Sequence, residues 1–396
     1  MDQDGVMKAI VNGTVYTPRR LIPDGVVLVE GEHIVDVGTP RQVPLPAGTE
    51  RIDAAGDIVC PGLVDIHLHG GDGADCSDGT PEAVRTVARR HLRAGTTSFL
   101  ATTASAPLPH IWQAFDGIRQ VMEERQEGEA RTLGIHMEGP FFSLEQRGSH
   151  APELLRMPTA EERERLYSYV GDLARLTIAP EREGALQIIR DLSQEDVLIS
   201  GGHSDALYEE TCVAMRAGMR HITHLWSCMP TVRRVGPKRV AGMLEAALVE
   251  DELSGEIIAD GYHLPTSLMR MAYRMKGPER LCLVSDAMRA SGQGPGEYEI
   301  AGVKAIVEEG GGVAVMPDGK AFAGSISTMQ QCLQEIVQVV GLSLREGLLM
   351  ATETPARILG VEDDVGCLAK GCYADLLVLN RATLEPRTIM LGGSIV

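Results

Sequence analysis

The chain has 396 residues, 44% of them hydrophobic, and a formal charge of -18 from 37 basic and 55 acidic side chains. That acidic balance excludes a nucleic-acid surface, which rests on many Lys and Arg contacts to phosphate. No apolar run reaches the roughly 20 residues that cross a bilayer, and the first thirty residues lack the basic start and apolar run of a signal peptide, so a cytoplasmic protein without a membrane span is expected.

Cys60, Cys76, Cys212, Cys228, Cys282, Cys332, Cys367 and Cys372 are scattered without a C-x-x-C pair. This predicts reduced thiols, most of them small core residues, rather than a disulfide framework or a thiolate metal site. Met7 to Val37 reads as all β, with Val26 to Glu30 and His33 to Val37 flanking a tight Gly31-Glu32 turn as a hairpin. Strand-like texture returns over 366–379 and 388–396. So few strands are unstable alone, so both ends are expected to form one small β-sandwich domain, residues 1–59 and 366–396, around a 60–365 insertion.

The middle alternates strand and helix. Thr80-Pro81 supplies a cap and a first-turn proline, Val84, Val87 and Ala88 make an apolar stripe, and Gly95 ends the unit. Strand candidates lie near 63–69, 96–102, 132–138, 175–180, 196–202, 220–225, 255–260 and 281–286. Eight βα units predict an α/β fold of the (β/α)8 kind, a TIM-like barrel with its active site at the C-terminal strand ends.

Those ends carry ligand-type residues. The first has Asp65, His67 and His69, with the two imidazoles at i and i+2 on one side of a strand. The third ends in His136 and Glu138, the fifth in His203, the sixth in His224 and the eighth in Asp286. Imidazole with carboxylate and no thiolate suits zinc, iron, cobalt or manganese in an open catalytic site. His136 is expected to stand behind the ligands or to be structural, and His33, His91, His110 and His221 ordinary.

These motifs resemble the amidohydrolase superfamily and, within it, the N-acetylglucosamine-6-phosphate deacetylase family. The resemblance rests on P-G-L-V-D-I-H-L-H-G (61–70), G-I-H-M-E-G-P-F (134–141), R-G-S-H-A (147–151), G-G-H-S-D-A (201–206), T-H-L-W (223–226), A-D-G-Y-H-L-P (259–265), L-V-S-D-A-M (283–288), A-G-S (323–325) and G-C-L-A-K-G-C-Y-A-D-L-L-V-L (366–379), in family order along nearly the whole chain. It implies that Glu138, His203 and His224 hold the principal metal, that His67 and His69 permit a second ion with Glu138 bridging, and that Asp286 is general base and then acid. It also implies that His150 polarises the acetyl carbonyl, that the divalent ion is zinc, with iron as the alternative, and that His263 reaches a neighbouring subunit's substrate in a homodimer. The implied partner is a small phosphorylated amino sugar.

A sugar phosphate needs cations, and Arg233, Arg234, Lys238 and Arg239 cluster after the sixth strand. Arg233, Arg234, Ser227, Cys228 and His263 are therefore the substrate-binding candidates. Thr223-His-Leu-Trp-Ser-Cys-Met replaces the family's T-H-L-F-N-A-M, and the family's H-R-E-P-G context is absent. The galactosamine epimer, or another N-acyl substrate, is the nearest alternative. Cyclic-amide hydrolases of the same fold bridge their metals with a modified lysine at the end of strand four, and 176–181 contains none. A metal-free scaffold would have lost ligands that survive here.

Overall fold

The computed structural model describes residues 7–17 and 20–396, so residues 1–6, 18 and 19 of the expected 1–59 span lie outside it. Its centre is a parallel barrel of β1 (Leu63–Leu68), β2 (Thr96–Thr103), β3 (Arg131–Glu138), β4 (Leu173–Ile178), β5 (Leu198–Gly201), β6 (His221–Ile222), β7 (Ser254–Ile258) and β8 (Leu281–Val284), paired in chain order. The first and last strands meet through hydrogen bonds from the Asp286 amide to the His67 carbonyl and from the His69 amide to the Ala287 carbonyl, at 2.9 and 3.0 Å. All eight expected strands are present.

Alternation explains why such polar strands are buried. On β4, Leu176 and Ile178 join the main core, whereas Arg175 and Thr177 bond to residues of neighbouring strands inside the barrel. The helix Pro81–Leu92 starts as its cap predicts, the Thr80 hydroxyl accepting from the Ala83 amide at 3.3 Å, and buries Val84, Val87 and Ala88.

Strands from both chain ends share a second sheet, in the order Ser394–Ile395, Pro386–Leu391, Leu376–Leu379, Ile58–Pro61, Lys8–Tyr16, Leu21–Glu30 and His33–Gly38, with Glu50–Asp53 pairing on Lys8–Tyr16. The expected hairpin is there, and Gly31 takes φ 56° at its turn. Val27 and Val29 feed one apolar cluster, Val26 and Leu28 another, so the sheet buries both faces. Two expectations need correction. Strand structure occupies Leu376–Leu379 rather than the whole of 366–379, and Cys367 and Cys372 in the preceding loop form a disulfide instead of staying reduced. The loop brings their Cα atoms to 6.5 Å, within bridging range. The other six cysteines are free thiols, four of them buried.

One element was not anticipated. After β8 comes an antiparallel sheet of Gly296–Ile300, Val303–Val307, Val313–Val315 and Phe322–Ser325, and its Ile300, Phe322 and Gly324 line the cavity at the strand ends. Met288, Ile300, Ala305, Val307 and Ala314 give it its own small core.

Candidate active site

The strand ends turn sharply where the expected ligands sit. His203, His224 and Asp286 follow β5, β6 and β8 with φ of 47, 25 and 46°. Non-glycine residues held there cost on the order of 1–3 kcal/mol each, strain that persists only where surrounding structure fixes it. The gain is convergence: His69, Glu138, His150, His203, His224 and Asp286 all line one cavity of about 200 Å³.

Glu138 is the hub. Its Oε1 lies 3.3 Å from His67 Nε2, 3.3 Å from His203 Nε2 and 3.2 Å from His224 Nε2, and its Oε2 lies 3.0 Å from His69 Nε2. Asp286 Oδ1 sits 3.3 Å from His69 Nε2 and 3.6 Å from His67 Nε2. The His203 and His224 Nε2 atoms are 3.1 Å apart, and those of His67 and His69 are 3.3 Å apart. Two rings are oriented from behind: His67 Nδ1 donates to Glu256 at 2.7 Å, and His203 Nδ1 donates to the Gln146 carbonyl at 3.0 Å. With Nδ1 so engaged, each Nε2 faces the centre.

The electrostatics follow. Burial opposes charge on His67, yet the carboxylates of Glu138, Asp286 and Glu256 hold its pKa up to about 9. For His203, burial again opposes charge, and Cys228 and Glu138 together bring it up to about 10. Burial would raise Glu138, but charge on His67 and hydrogen bonds from His203 and His224 hold it well below the carboxylate range. Asp286, also buried, is likewise lowered by His67 and His69. Imidazole nitrogens crowding two ionised carboxylates require positive charge at their centre. His67, His69 and Glu138 lie close enough together to share one ion, and Glu138, His150 and His203 form a second such group.

His150 differs from these rings. Its Nδ1 faces the Ser105 hydroxyl and amide at 2.8 and 3.4 Å, and a backbone N–H can only donate. The ring proton therefore sits on Nε2. Burial, then charge on His203, keeps its pKa well below 6.5, so it is a neutral donor at the cavity wall. Phe142 lies flat on His203 at 4.3 Å between ring centroids and meets His150 edge-on at 5.1 Å.

Ser227, Cys228 and His263 line the cavity, with Ile258, Ile300 and Phe322 as its apolar wall. His263 Nδ1 donates to Asp260 at 2.7 Å. Arg233 and Arg234 do not belong to that lining. Arg233 is engaged as an ion pair with Asp205, and Arg234 Nε donates to the Gly236 carbonyl on an exposed hairpin. The basic run therefore mainly forms a surface ribbon, Arg233–Val235 against Lys238–Val240.

Sequence reasoning missed what lies underneath. Arg175 and Glu256, both fully buried, form an ion pair at 2.7 Å, and Glu256 also receives His221 Nε2 at 3.1 Å. The signal was present as one charge inside each of two otherwise uncharged strands. His136 bonds Thr102 at 3.2 Å and Thr177 at 2.7 Å, the structural part expected of it.

A (β/α)8 barrel whose strand ends gather imidazoles and carboxylates around one cavity defines a barrel hydrolase with a donor set suited to divalent metal. The family model described as "Amidohydrolase family" matches residues 58–396, and the chain belongs to that family. It is 34% identical over 353 residues to the N-acetylgalactosamine-6-phosphate deacetylase of Escherichia coli O157:H7, covering 89% of this chain and 90% of the relative. It is 33% identical over 383 residues to the N-acetylglucosamine-6-phosphate deacetylase of Bacillus subtilis, covering 96% and 94%. The crystal structure of N-acetylglucosamine-6-phosphate deacetylase from Pasteurella multocida matches with a TM-score of 0.91 at 27% identity, over 98% of this chain and 99% of that one. The enzyme of that name from Mycobacterium smegmatis matches with a TM-score of 0.88 at 32% identity, over 99% and 100%.

Proposed function

We propose that this chain hydrolyses the acetamide of N-acetylglucosamine 6-phosphate, releasing acetate and glucosamine 6-phosphate. The observation that carries the reading is the meeting of the Glu138 carboxylate with four imidazole nitrogens at 3.0 to 3.3 Å, beside Asp286. Glu138, His203 and His224 would hold the principal divalent ion, and His67 and His69, together with Glu138, would hold a second. Zinc suits the set first and iron second. Bound there, such an ion supplies Lewis acidity that polarises a carbonyl and lowers the pKa of water to about 7.

The protein's own groups do the rest. Asp286, ionised and 3.3 Å from His69 Nε2, accepts the proton of the attacking water and passes it to the departing nitrogen. His150 donates a hydrogen bond from its Nε2–H to the carbonyl oxygen as charge develops there, from a geometry set beforehand by Ser105. The apolar wall of Ile258, Ile300 and Phe322 limits water around the acyl group. Ser227, Cys228 and His263 face the sugar phosphate. We further propose a homodimer, a catalytic unit at 60–365 with the smaller unit at 1–59 and 366–396, and a cytoplasmic location. Among the described residues no helix is long and apolar enough to cross a membrane.

The deciding assay measures acetate released from N-acetylglucosamine 6-phosphate, N-acetylgalactosamine 6-phosphate and the two unphosphorylated sugars. The first is expected to have the highest kcat/KM. A higher value for the galactosamine epimer would reassign the substrate, in keeping with the Escherichia coli relative, and no acetate from any of them would remove the reading.

The imidazole pKa values predict how metal uptake depends on pH. His67 at about 9 and His203 at about 10 are protonated at pH 7, and both must be neutral to act as ligands. Co²⁺ affinity should therefore rise with pH at both positions, with proton release on binding. Calorimetry in buffers of different ionisation enthalpy reads this directly, and an affinity that stays flat from pH 7 to 9 contradicts it.

A further inference from the structure

Glu256 lies beneath the cavity, fully buried on β7, and its two oxygens receive four groups from β1, β4, β6 and the turn just after β6. Oε1 takes His67 Nδ1 at 2.7 Å and the backbone amide of His224 at 3.1 Å. Oε2 takes Arg175 at 2.7 Å and His221 Nε2 at 3.1 Å. Each oxygen thus faces one donor that cannot become an acceptor: the His224 amide on one side, the Arg175 guanidinium on the other. Only an acceptor with two bare oxygens satisfies both. Arg175 is itself pinned by Ser200 Oγ at 2.9 Å, Thr223 Oγ1 at 2.9 Å and the Ile66 carbonyl at 3.0 Å, so it cannot retreat.

We infer that Glu256 is a positioning residue for the metal centre, held ionised by Arg175: it fixes the Nδ1–H tautomer of His67, so that Nε2 presents its lone pair to the ion, and anchors the backbone of His224. This inference rests on the metal-site reading above. A carboxylate behind a metal-binding histidine typically contributes 10- to 100-fold in metal affinity. Here one oxygen serves a strand-one and a strand-six ligand together, so its loss affects both halves of the centre.

The geometry makes an unusual double-variant prediction. In Glu256→Gln, the amide N–H₂ must face either the His224 amide or Arg175, donor against donor in both orientations. Adding Arg175→Met removes one clash. The glutamine oxygen can then stay on His67 and His224 while its N–H₂ turns toward His221 Nε2. His221 can accept by moving its proton to Nδ1, which then donates to Ser254 Oγ at 2.7 Å, and that hydroxyl already reaches the Arg220 carbonyl at 3.1 Å.

The test measures Co²⁺ stoichiometry and affinity by equilibrium dialysis and the Co²⁺ visible spectrum, with thermal melting as the folding control. The variants are Glu256→Gln, Arg175→Met/Glu256→Gln and Arg175→Met/Glu256→Met. The first should lose at least about 10-fold in affinity, the glutamine pair should return to within about threefold of the parent, and the methionine pair, with no acceptor for His67, should stay weak. If Glu256→Gln does not fold, the two charge-free pairs still decide, since they differ in that acceptor. Equal affinity in those pairs, or parental affinity in folded Glu256→Gln, overturns the inference. A parent chain that binds no Co²⁺ instead overturns the metal-site reading.

Discussion

Asp286→Asn should lower kcat by about 10²- to 10⁴-fold, the usual contribution of one positioned acid-base group, while bound metal and thermal stability stay at parental levels. The substitution is nearly isosteric, and asparagine is among the few residues that tolerate the left-handed backbone, here φ 46°. The Asp286 amide keeps its 2.9 Å bond to the His67 carbonyl, so the junction of β8 with β1 is undisturbed. What disappears is a group able to take a proton and return it. Charge on His67 and His69 lowers the Asp286 pKa despite its burial, so the basic form persists to acid pH. The kcat/KM profile of the parent should fall only at acid pH, and the small residual rate of the variant should lack that limb. Turnover within threefold of the parent would remove Asp286 from proton transfer, and a parallel loss of Co²⁺ would recast it as a metal ligand.

How much of this was legible in the sequence depends on the range of the interaction. The barrel strands were readable because short strand-like runs alternate with helical segments and five of them stop at a His, Glu or Asp, and strand periodicity then places those side chains. The hairpin at Gly31-Glu32 and the helix opening at Thr80-Pro81 are local chemistry and came out as expected. Arg175 and Glu256 were not readable, because each looks like a misplaced charge until β4 and β7 close around the same axis and supply its partner. The four-stranded insertion had a local signal, the Ala301-Gly302 turn between Gly296–Ile300 and Val303–Val307, but lies outside the strand-helix alternation that organised the reading. The Cys367–Cys372 bond depends on how one loop folds back, which scattered spacing does not reveal. Arg233 and Arg234 failed in the opposite way: charge clustering was visible, but the Asp205 partner that holds Arg233 away from the cavity was not.

Glu138→Gln should be the most damaging single change in the site. Glu138 Oε1 is shared by His67, His203 and His224, and Oε2 faces His69, so this side chain touches both proposed ion positions. Glutamine keeps the shape and removes the negative charge. Without it, His67 and His203 lose one of the groups that raise their pKa values, and a cation loses the donor shared by both pairs of imidazoles. Affinity for Co²⁺ should fall at both positions by more than about 10²-fold, beyond the effect of an outer partner, and turnover by at least about 10³-fold. His69→Ala supplies the contrast. It removes a donor from one position and leaves Glu138, His203 and His224 in place, so it should reduce stoichiometry toward one ion per chain and retain measurable acetate release. Metal analysis of the two purified variants separates the outcomes. A full complement of ions in Glu138→Gln, or complete loss in His69→Ala, would show that the carboxylate is not the shared donor of a two-position centre.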